Sequence, residues 1–251
     1  MGHTQFVCLS GLPRSGSTIL SAILDQNPLI HAEGNSAVCQ FLWDMHISGT
    51  VNAVEQLKAS RREHTFKALV KQIPKNYYKD IAPTKKIIVD KCRSWTIPAN
   101  IEVLRNYIDP NIKIIVLERS LTAIMKSFMK LYKKNNWSQE RICEVMRTML
   151  LPSTEPLMRP ILGVHMAKMN NANNTFLFIQ YDDLVANPAE TIQRIYQFCG
   201  WEPYPHQFDN IINKHPENDE YYRLEGFHTI RAKLSKEENT IELPPDIQRR
   251  L

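Results

Sequence analysis

Long apolar runs, paired cysteines and low-complexity segments are all missing from this sequence of 251 residues. No apolar stretch approaches the roughly 20 residues that a membrane-spanning helix needs. The first residues lack the charged region and long apolar stretch of a secretory signal. The five cysteines are scattered, with no CxxC spacing that would indicate a disulfide framework or a zinc site. These absences predict reduced thiols, no metal site and a cytoplasmic protein.

Charge of either sign is also modest. The formal net charge is +5, which suits anionic ligands, but there is no basic tail and no signature of RNA or DNA binding. Hydrophobic residues make up 43% and charged residues 23%, as is typical of a globular protein with a substantial core. We therefore expect one domain spanning residues 1–251 that binds no nucleic acid.

Short buried strands alternate with amphipathic helices along most of the chain. Strands are predicted at residues 6–10, 86–90, 112–117 and 175–180. Helices are predicted between them, among others at residues 17–24, 121–132, 139–150, 156–169 and 189–199. This alternation is typical of βαβ units. It predicts an α/β fold of the P-loop-like type, with three αβα layers around a mainly parallel sheet of four to five strands.

A glycine-rich turn joins the first strand to the first helix. Residues 11–18, GLPRSGST, have the spacing of a phosphate-binding loop, G-x-x-x-x-G-K-[ST]. Glycines let the backbone curl so that several N–H groups point at one anion, and the helix N-terminus adds positive charge. The lysine that nucleotide hydrolases carry before the final Ser/Thr is Ser17 here, whereas a cation occurs earlier, at Arg14. The loop predicts phosphate binding without the usual P-loop chemistry.

The segment PRSGST resembles the 5′-phosphosulfate loop of sulfotransferases that use 3′-phosphoadenosine 5′-phosphosulfate (PAPS), which reads P-[KR]-[ST]-G-[ST]-[ST]. The resemblance implies that the loop grips the 5′-phosphate of PAPS. It also implies that Arg14 stabilises charge on the bridging oxygen as the sulfuryl group leaves. The loop residues carried over as PAPS-binding are Arg14, Ser15, Gly16, Ser17 and Thr18.

Further positions extend this resemblance towards the C-terminus. Arg119 ends the third predicted strand and Ser127 follows eight residues later, the spacing at which the family holds the 3′-phosphate. An arginine at the carboxyl end of a parallel strand enters the crevice where such sheets bind nucleotides. The segment YDDLV resembles the family's Y-E-D-L-V, which carries Tyr181 to the adenine side. Arg231 lies where a C-terminal phosphate-binding loop would fall.

The catalytic candidates lie at two places. In the tyrosylprotein branch of the family, a short segment after the loop helix carries a catalytic glutamate, and Glu33 lies two positions before that glutamate. His31 is its rival, because an imidazole titrates near neutral pH. Asp90-Lys91 resembles the family's D-K-x-P segment, which implies that Lys91 lies beside the transferred sulfate.

Two other functions remain open at this stage. A small-molecule kinase using ATP would share the fold, with Asp90 as the candidate magnesium ligand, although Ser17 replaces its lysine. A nucleotide-binding module without catalytic activity is the third possibility. The acceptor of a sulfotransferase could be a small molecule, a carbohydrate or a peptide, and the oligomeric state stays open.

Overall fold

The computed structural model describes residues 4–81, 83–171, 174–235 and 240–251. Within them, five parallel strands form one sheet in the order β2-β3-β1-β4-β5. The strands are β1 (Gln5–Gly11), β2 (Ile30–Asn35), β3 (Ile87–Lys91), β4 (Ile114–Glu118) and β5 (Phe176–Gln180). Because all five run the same way, their carboxyl ends meet at one edge, where the crevice of an open α/β sheet lies.

Helices cover both faces of this sheet. They are α1 (Ser17–Leu24), α2 (Val38–Ile47), α3 (Val54–Ala59), α4 (Glu63–Tyr77), α5 (Pro98–Tyr107), α6 (Leu121–Lys134), α7 (Gln139–Met149), α8 (Met158–Met169), α9 (Tyr181–Ala186), α10 (Pro188–Cys199) and α11 (Pro245–Gln248). Three short turns add to them: a π-helical turn at Ser48–Asn52 and 3₁₀ turns at Arg93–Thr96 and Asp219–Tyr222. None of the described helices is long and apolar enough to cross a lipid bilayer.

Alternating side chains of the strands divide the core in two. On β1, Val7 and Leu9 pack with α1, α9 and α10, whereas Cys8 packs on the opposite face with α2 and α4–α8. Both layers are fully buried at the sheet, and burying one such aliphatic side chain stabilises the fold by about 1.5–3 kcal/mol. The predicted three-layer αβα fold with a parallel sheet is confirmed.

Four of the strands lie where the hydrophobic runs predict them, but β2 does not stand out in the sequence. Its residues alternate poorly, because His31, Glu33 and Gly34 interrupt the apolar pattern. As an edge strand it pairs with β3 alone, and its register shifts between Ala32 and Asn35. An irregular edge strand tolerates polar residues that a central strand would exclude.

The segment after Gly200 is anchored to both cores, although it contains little regular structure. Ile211 and Leu234 are buried with the α1 layer, whereas Leu243 and Ile247 are buried with the opposite layer. The stretch between Ile211 and Leu234 lies over the carboxyl ends of the strands, where it contacts β2, β3 and the glycine-rich loop. This stretch completes the candidate site.

Candidate active site

Backbone geometry explains the glycines of the loop between β1 and α1. Gly11 has φ +141°, and a Cβ there would lie 2.1 Å from the carbonyl oxygen of Leu117 on β4. Gly16 has φ +93°, and a Cβ there would lie 2.7 Å from the ring of Tyr181. Both positions therefore exclude a side chain on steric grounds as well as on backbone conformation. The loop can pack this closely only with glycine at these two places.

Two arginines meet at this loop. Arg14 Nε donates to Ser127 Oγ at 3.1 Å, and its guanidinium also donates to the carbonyl of Phe227. Arg119 Nη1 donates to the carbonyl oxygen of Arg14 at 3.0 Å, and its guanidinium lies 4.3 Å from the ring centroid of Tyr181. Arg14, Arg119 and Ser127, predicted from distant parts of the sequence, are thus brought together.

The Nε atom of Arg119 is buried and has no hydrogen-bond partner among the described residues. A buried, unpaired donor of a charged group is costly, so such groups are normally satisfied by a protein group, by water or by a ligand. A phosphate oxygen is a suitable acceptor for a guanidinium, which can bind it with two parallel hydrogen bonds. The arrangement fits an anion held between the loop and the end of β4.

A buried ion pair lies on the other side of the loop. Lys91 Nζ at the end of β3 lies 3.0 Å from Glu217 Oε1 and 3.3 Å from Thr18 Oγ1. Only 4% of the Lys91 side chain and 12% of the Glu217 side chain are exposed. Burial lowers the pKa of Lys91, although the charge of Glu217 opposes that shift. Burial would raise the pKa of Glu217, but the charges of Lys91 and His228 outweigh it and hold this pKa below its usual value.

One cavity collects most of the predicted site residues. Its walls include Arg14, Gly16, Ser17, Thr18, Lys91, Arg119, Ser127, Tyr181 and Arg231. Ser15 is fully buried instead, and its hydroxyl donates to the carbonyl oxygen of Leu12 at 2.6 Å. Glu33 and His31 do not line the cavity; they contact each other, with 3.2 Å between Glu33 Oε2 and His31 Nε2. The structure thus brings together the predicted cations and phosphate-loop residues but not the two predicted bases.

A family model matches most of the chain. The model of the sulfotransferase family matches residues 7–206, which include the loop, β3, β4, α6 and Tyr181. The chain belongs to the sulfotransferase family. No curated protein matches it. Membership shows that this protein is an enzyme that transfers a sulfuryl group.

Solved sulfotransferases share the fold of this family member. A sulfotransferase from Alicyclobacillus acidocaldarius gives a TM-score of 0.56 at 13% identity, over 99% of this chain and 90% of that one. A mouse sulfotransferase complexed with PAP gives 0.52 at 12% identity, over 99% and 82%. The sulfotransferase domain from the curacin biosynthetic pathway gives 0.52 at 18% identity, over 81% and 76%. At these identities the likeness shows a common fold.

Asp90, the magnesium ligand of the kinase hypothesis, has a structural role in this sulfotransferase. Its side chain is fully buried and accepts hydrogen bonds from Ser36 Oγ at 2.5 Å, Tyr78 OH at 2.8 Å and Trp95 Nε1 at 2.8 Å. Burial raises the pKa of Asp90, and the three donors oppose that shift. Asp90 does not line the cavity, so the geometry gives no support to a metal site of the kinase type.

His31 belongs to a cluster beside the outer edge of β2. Ligand-type atoms of Asp25, His31 and His215 lie within 4.8 Å of one another, an arrangement that could hold a metal ion. The ammonium of Lys214, however, lies 3.2 Å from Asp25 Oδ2 and already neutralises the buried carboxylate. We therefore interpret the cluster as an ion-pair network that covers the edge strand.

Sequence reasoning missed three residues of this sulfotransferase that the fold brings to the site. Asn35 and His228 line the cavity, and Glu217 pairs with Lys91. Glu217 lies in a stretch rich in Pro, His and charge, which has no hydrophobic period and no motif to mark it. No local signal distinguishes Glu217 from a solvated surface carboxylate.

Proposed function

We propose that this protein is a PAPS-dependent sulfotransferase that transfers the sulfuryl group to a hydroxyl or amine. The observation that carries the proposal is the meeting of Arg14, Arg119 and Ser127 at a lysine-free phosphate loop, with a buried Arg119 Nε that has no partner among the described residues. Three such groups at one loop favour a ligand with more than one phosphate, and PAPS carries phosphates at its 5′ and 3′ positions.

In this proposal, two different parts of the cavity bind the 5′-phosphosulfate and the 3′-phosphate of PAPS. Backbone N–H groups at the start of α1 and the hydroxyls of Ser17 and Thr18 would bind the 5′-phosphosulfate. Arg119 and Ser127 would bind the 3′-phosphate, with Arg231 as a further cation on the outer wall. The ring of Tyr181, which carries Arg119 on one face, would lie on the adenine side. Ser15 would contribute through its backbone, because its hydroxyl is engaged with Leu12.

The chemistry needs cations beside the departing phosphate and a base for the acceptor proton. Arg14 and Lys91 are the proposed cations, since both line the cavity on either side of the loop. When bound, PAPS supplies the activated sulfuryl group. Glu33 and His31 are the bases that the sequence suggests, but neither of them lines the cavity.

The wider setting of the enzyme also remains a proposal. We infer a single domain spanning residues 1–251 and a cytoplasmic location, which the five free cysteines support. The acceptor is a small molecule, a carbohydrate or a peptide. The kinase alternative has no specific observation in its favour.

Titration with 3′-phosphoadenosine 5′-phosphate (PAP), and separately with ATP–Mg²⁺, tests the proposal through the melting temperature. A ligand at a hundredfold its Kd stabilises the fold by about 2.7 kcal/mol, which raises the melting temperature by several degrees. We expect a shift with PAP and a much smaller one with ATP–Mg²⁺. A shift with ATP–Mg²⁺ alone would reject the PAPS site and favour the kinase.

A further inference from the structure

We propose that Glu217, in the segment after the sheet, is the general base of the transfer reaction. Two groups from β2 and one from β3 hold its carboxylate. Oε1 lies 3.0 Å from Lys91 Nζ and accepts from the backbone N–H of Asn35 at 3.2 Å. Oε2 accepts from the Asn35 side-chain amide at 3.3 Å. The inference rests on the proposed function, because it assigns a role within that reaction.

The location of this carboxylate follows from the irregularity of β2. The register shift between Ala32 and Asn35 places Asn35 opposite Lys91, at the edge of the sheet. Gly34, inside the shift, has no side chain, and a Cβ there would lie 2.3 Å from Cγ of Glu217. Glycine at position 34 therefore leaves the space that the Glu217 side chain fills. A strand bulge, a glycine and an amide together hold one carboxylate against Lys91 and Asn35, both of which line the cavity of the phosphate loop.

Position 35 also links Glu217 to the expected base. The resemblance to the tyrosylprotein branch implies a glutamate about two positions after Glu33, where this chain has Asn35. Asn35 cannot accept a proton at neutral pH, but both of its N–H groups hold the carboxylate of Glu217. Position 35 itself has no carboxylate, and Glu217 from a distant segment of the chain supplies one beside it.

Glu217 lines a second cavity. It is lined by Asn213, Pro216, Glu217, Asp219, His228, Thr229 and Ile230. Residues 228–230 also line the cavity of the phosphate loop, so the two cavities share a wall. We assign the second cavity to the acceptor, which would reach the transferred group past Glu217.

In the proposed step, the acceptor hydroxyl or amine forms a bond from its oxygen or nitrogen to sulfur, and the bond between sulfur and the bridging phosphate oxygen breaks. The acceptor proton passes to the Glu217 carboxylate, and PAP leaves with the electron pair. Lys91 shifts towards the negative charge that builds on the leaving side, which weakens its hold on Glu217 and makes that carboxylate a stronger base.

Several titratable groups face Glu217 and set its protonation. Lys91 faces it from β3, whereas Tyr222 and His228 face it from its own segment. His228 Nε2 lies 3.4 Å from Glu217 Oε2, and its Nδ1 lies 2.7 Å from Asp219 Oδ1. Burial lowers the pKa of His228, although both carboxylates oppose that shift. Glu217 is ionised at neutral pH and can accept a proton.

The test compares the wild type with the Glu217→Gln variant by measuring the release of PAP from PAPS. The acceptors are 2-naphthol, N-acetylglucosamine, a tyrosine peptide and water. We expect kcat to fall at least a hundredfold while the Kd for PAP changes less than about threefold. In the wild type, kcat/KM should fall on the acid side of the pH profile as Glu217 is protonated, and this fall should be absent in Glu217→Gln. Glu217→Asp, which keeps the charge, should retain more activity and covers the case in which the Gln variant does not fold.

The matched control is Glu225→Gln, which removes an exposed carboxylate of the same segment that pairs with Lys134 at 3.6 Å. It should leave kcat unchanged. Turnover of Glu217→Gln near that of the wild type would overturn the inference, and loss of turnover in Glu33→Gln or His31→Asn alone would move the base to β2. Failure of the proposed function looks different, because the wild-type protein would then neither bind PAP nor release it from PAPS.

Discussion

Replacing Arg119 with alanine should weaken PAP binding strongly without unfolding the protein. The substitution removes the guanidinium whose Nε is buried and has no partner among the described residues, together with the hydrogen bond from Nη1 to the Arg14 carbonyl. Hydrogen bonds to charged groups contribute about 1.5–3 kcal/mol each, and each 1.4 kcal/mol is about tenfold in affinity. We therefore expect the Kd for PAP to rise about 10-fold to 100-fold. Free energy of unfolding without ligand should change little, because removing the guanidinium also removes an unsatisfied buried donor.

Calorimetric titration of three variants separates the causes of this loss. Arg119→Lys keeps the charge but not the forked donor, so its Kd should fall between those of the wild type and the alanine variant. Arg141→Ala is the matched control, since Arg141 also stacks on an aromatic ring, 3.7 Å from the centroid of Trp137, but does not line the cavity. Unchanged PAP affinity in Arg119→Ala would refute the assignment of a phosphate to the end of β4.

Three further predictions concern the loop, the core and the pH dependence. Gly200→Ala, at φ +69° with open space around it, should lower the free energy of unfolding by about 1 kcal/mol through its backbone conformation alone. Gly16→Ala in the loop also meets the Tyr181 ring, so it should lower the free energy of unfolding further and weaken PAP binding. Urea unfolding measures the first effect and calorimetry the second. Asp90→Asn replaces one of the two accepting oxygens by an NH2 group, which then faces at least one of the three donors, so it should cost about 1–3 kcal/mol in urea unfolding. An unchanged stability would contradict the structural role. The pKa of Glu217 is lower in the folded protein than its ordinary value of 4.5, so on acidification the Glu217 carboxylate is protonated in the unfolded chain before it is protonated in the folded one. The stability that this carboxylate contributes is therefore complete above pH 4.5 and is lost as the pH falls through its folded-state pKa. Glu217→Gln should therefore lose less stability than the wild type between about pH 5 and pH 3, and equal slopes in thermal melts would contradict the ion pair.

Much of the fold was predictable because it depends on local hydrophobic pattern. The runs that form β1, β3, β4 and β5 are continuous and apolar, as expected of strands buried on both faces. The strand β2 was not predictable, because an edge strand that carries His31 and Glu33 has no clear period. Edge strands are specified by what packs beside them, and here that packing comes from residues outside the strand, such as Asp25 and the distant His215.

The residues of the candidate site also differ in whether the sequence predicts them. Arg14, Arg119 and Ser127 could be predicted, because each follows a strand end or lies at a fixed spacing within one strand-turn-helix unit. Glu217 could not, since nothing in the sequence marks which residue of an irregular segment returns to β3. Long-range contacts of irregular segments depend on the packing of the whole chain, so local patterns carry no information about them.

Parallel incubation with ³⁵S-labelled PAPS and with γ-³²P-labelled ATP–Mg²⁺, on one panel of phenols, sugars and peptides, tests the central claim most directly. Transfer of the sulfur label with release of PAP is the expected result. The Arg14→Ala variant should lose this transfer, because Arg14 lines the cavity and is the proposed cation beside the departing phosphate. Transfer of the phosphorus label and none of the sulfur label would contradict PAPS-dependent sulfuryl transfer.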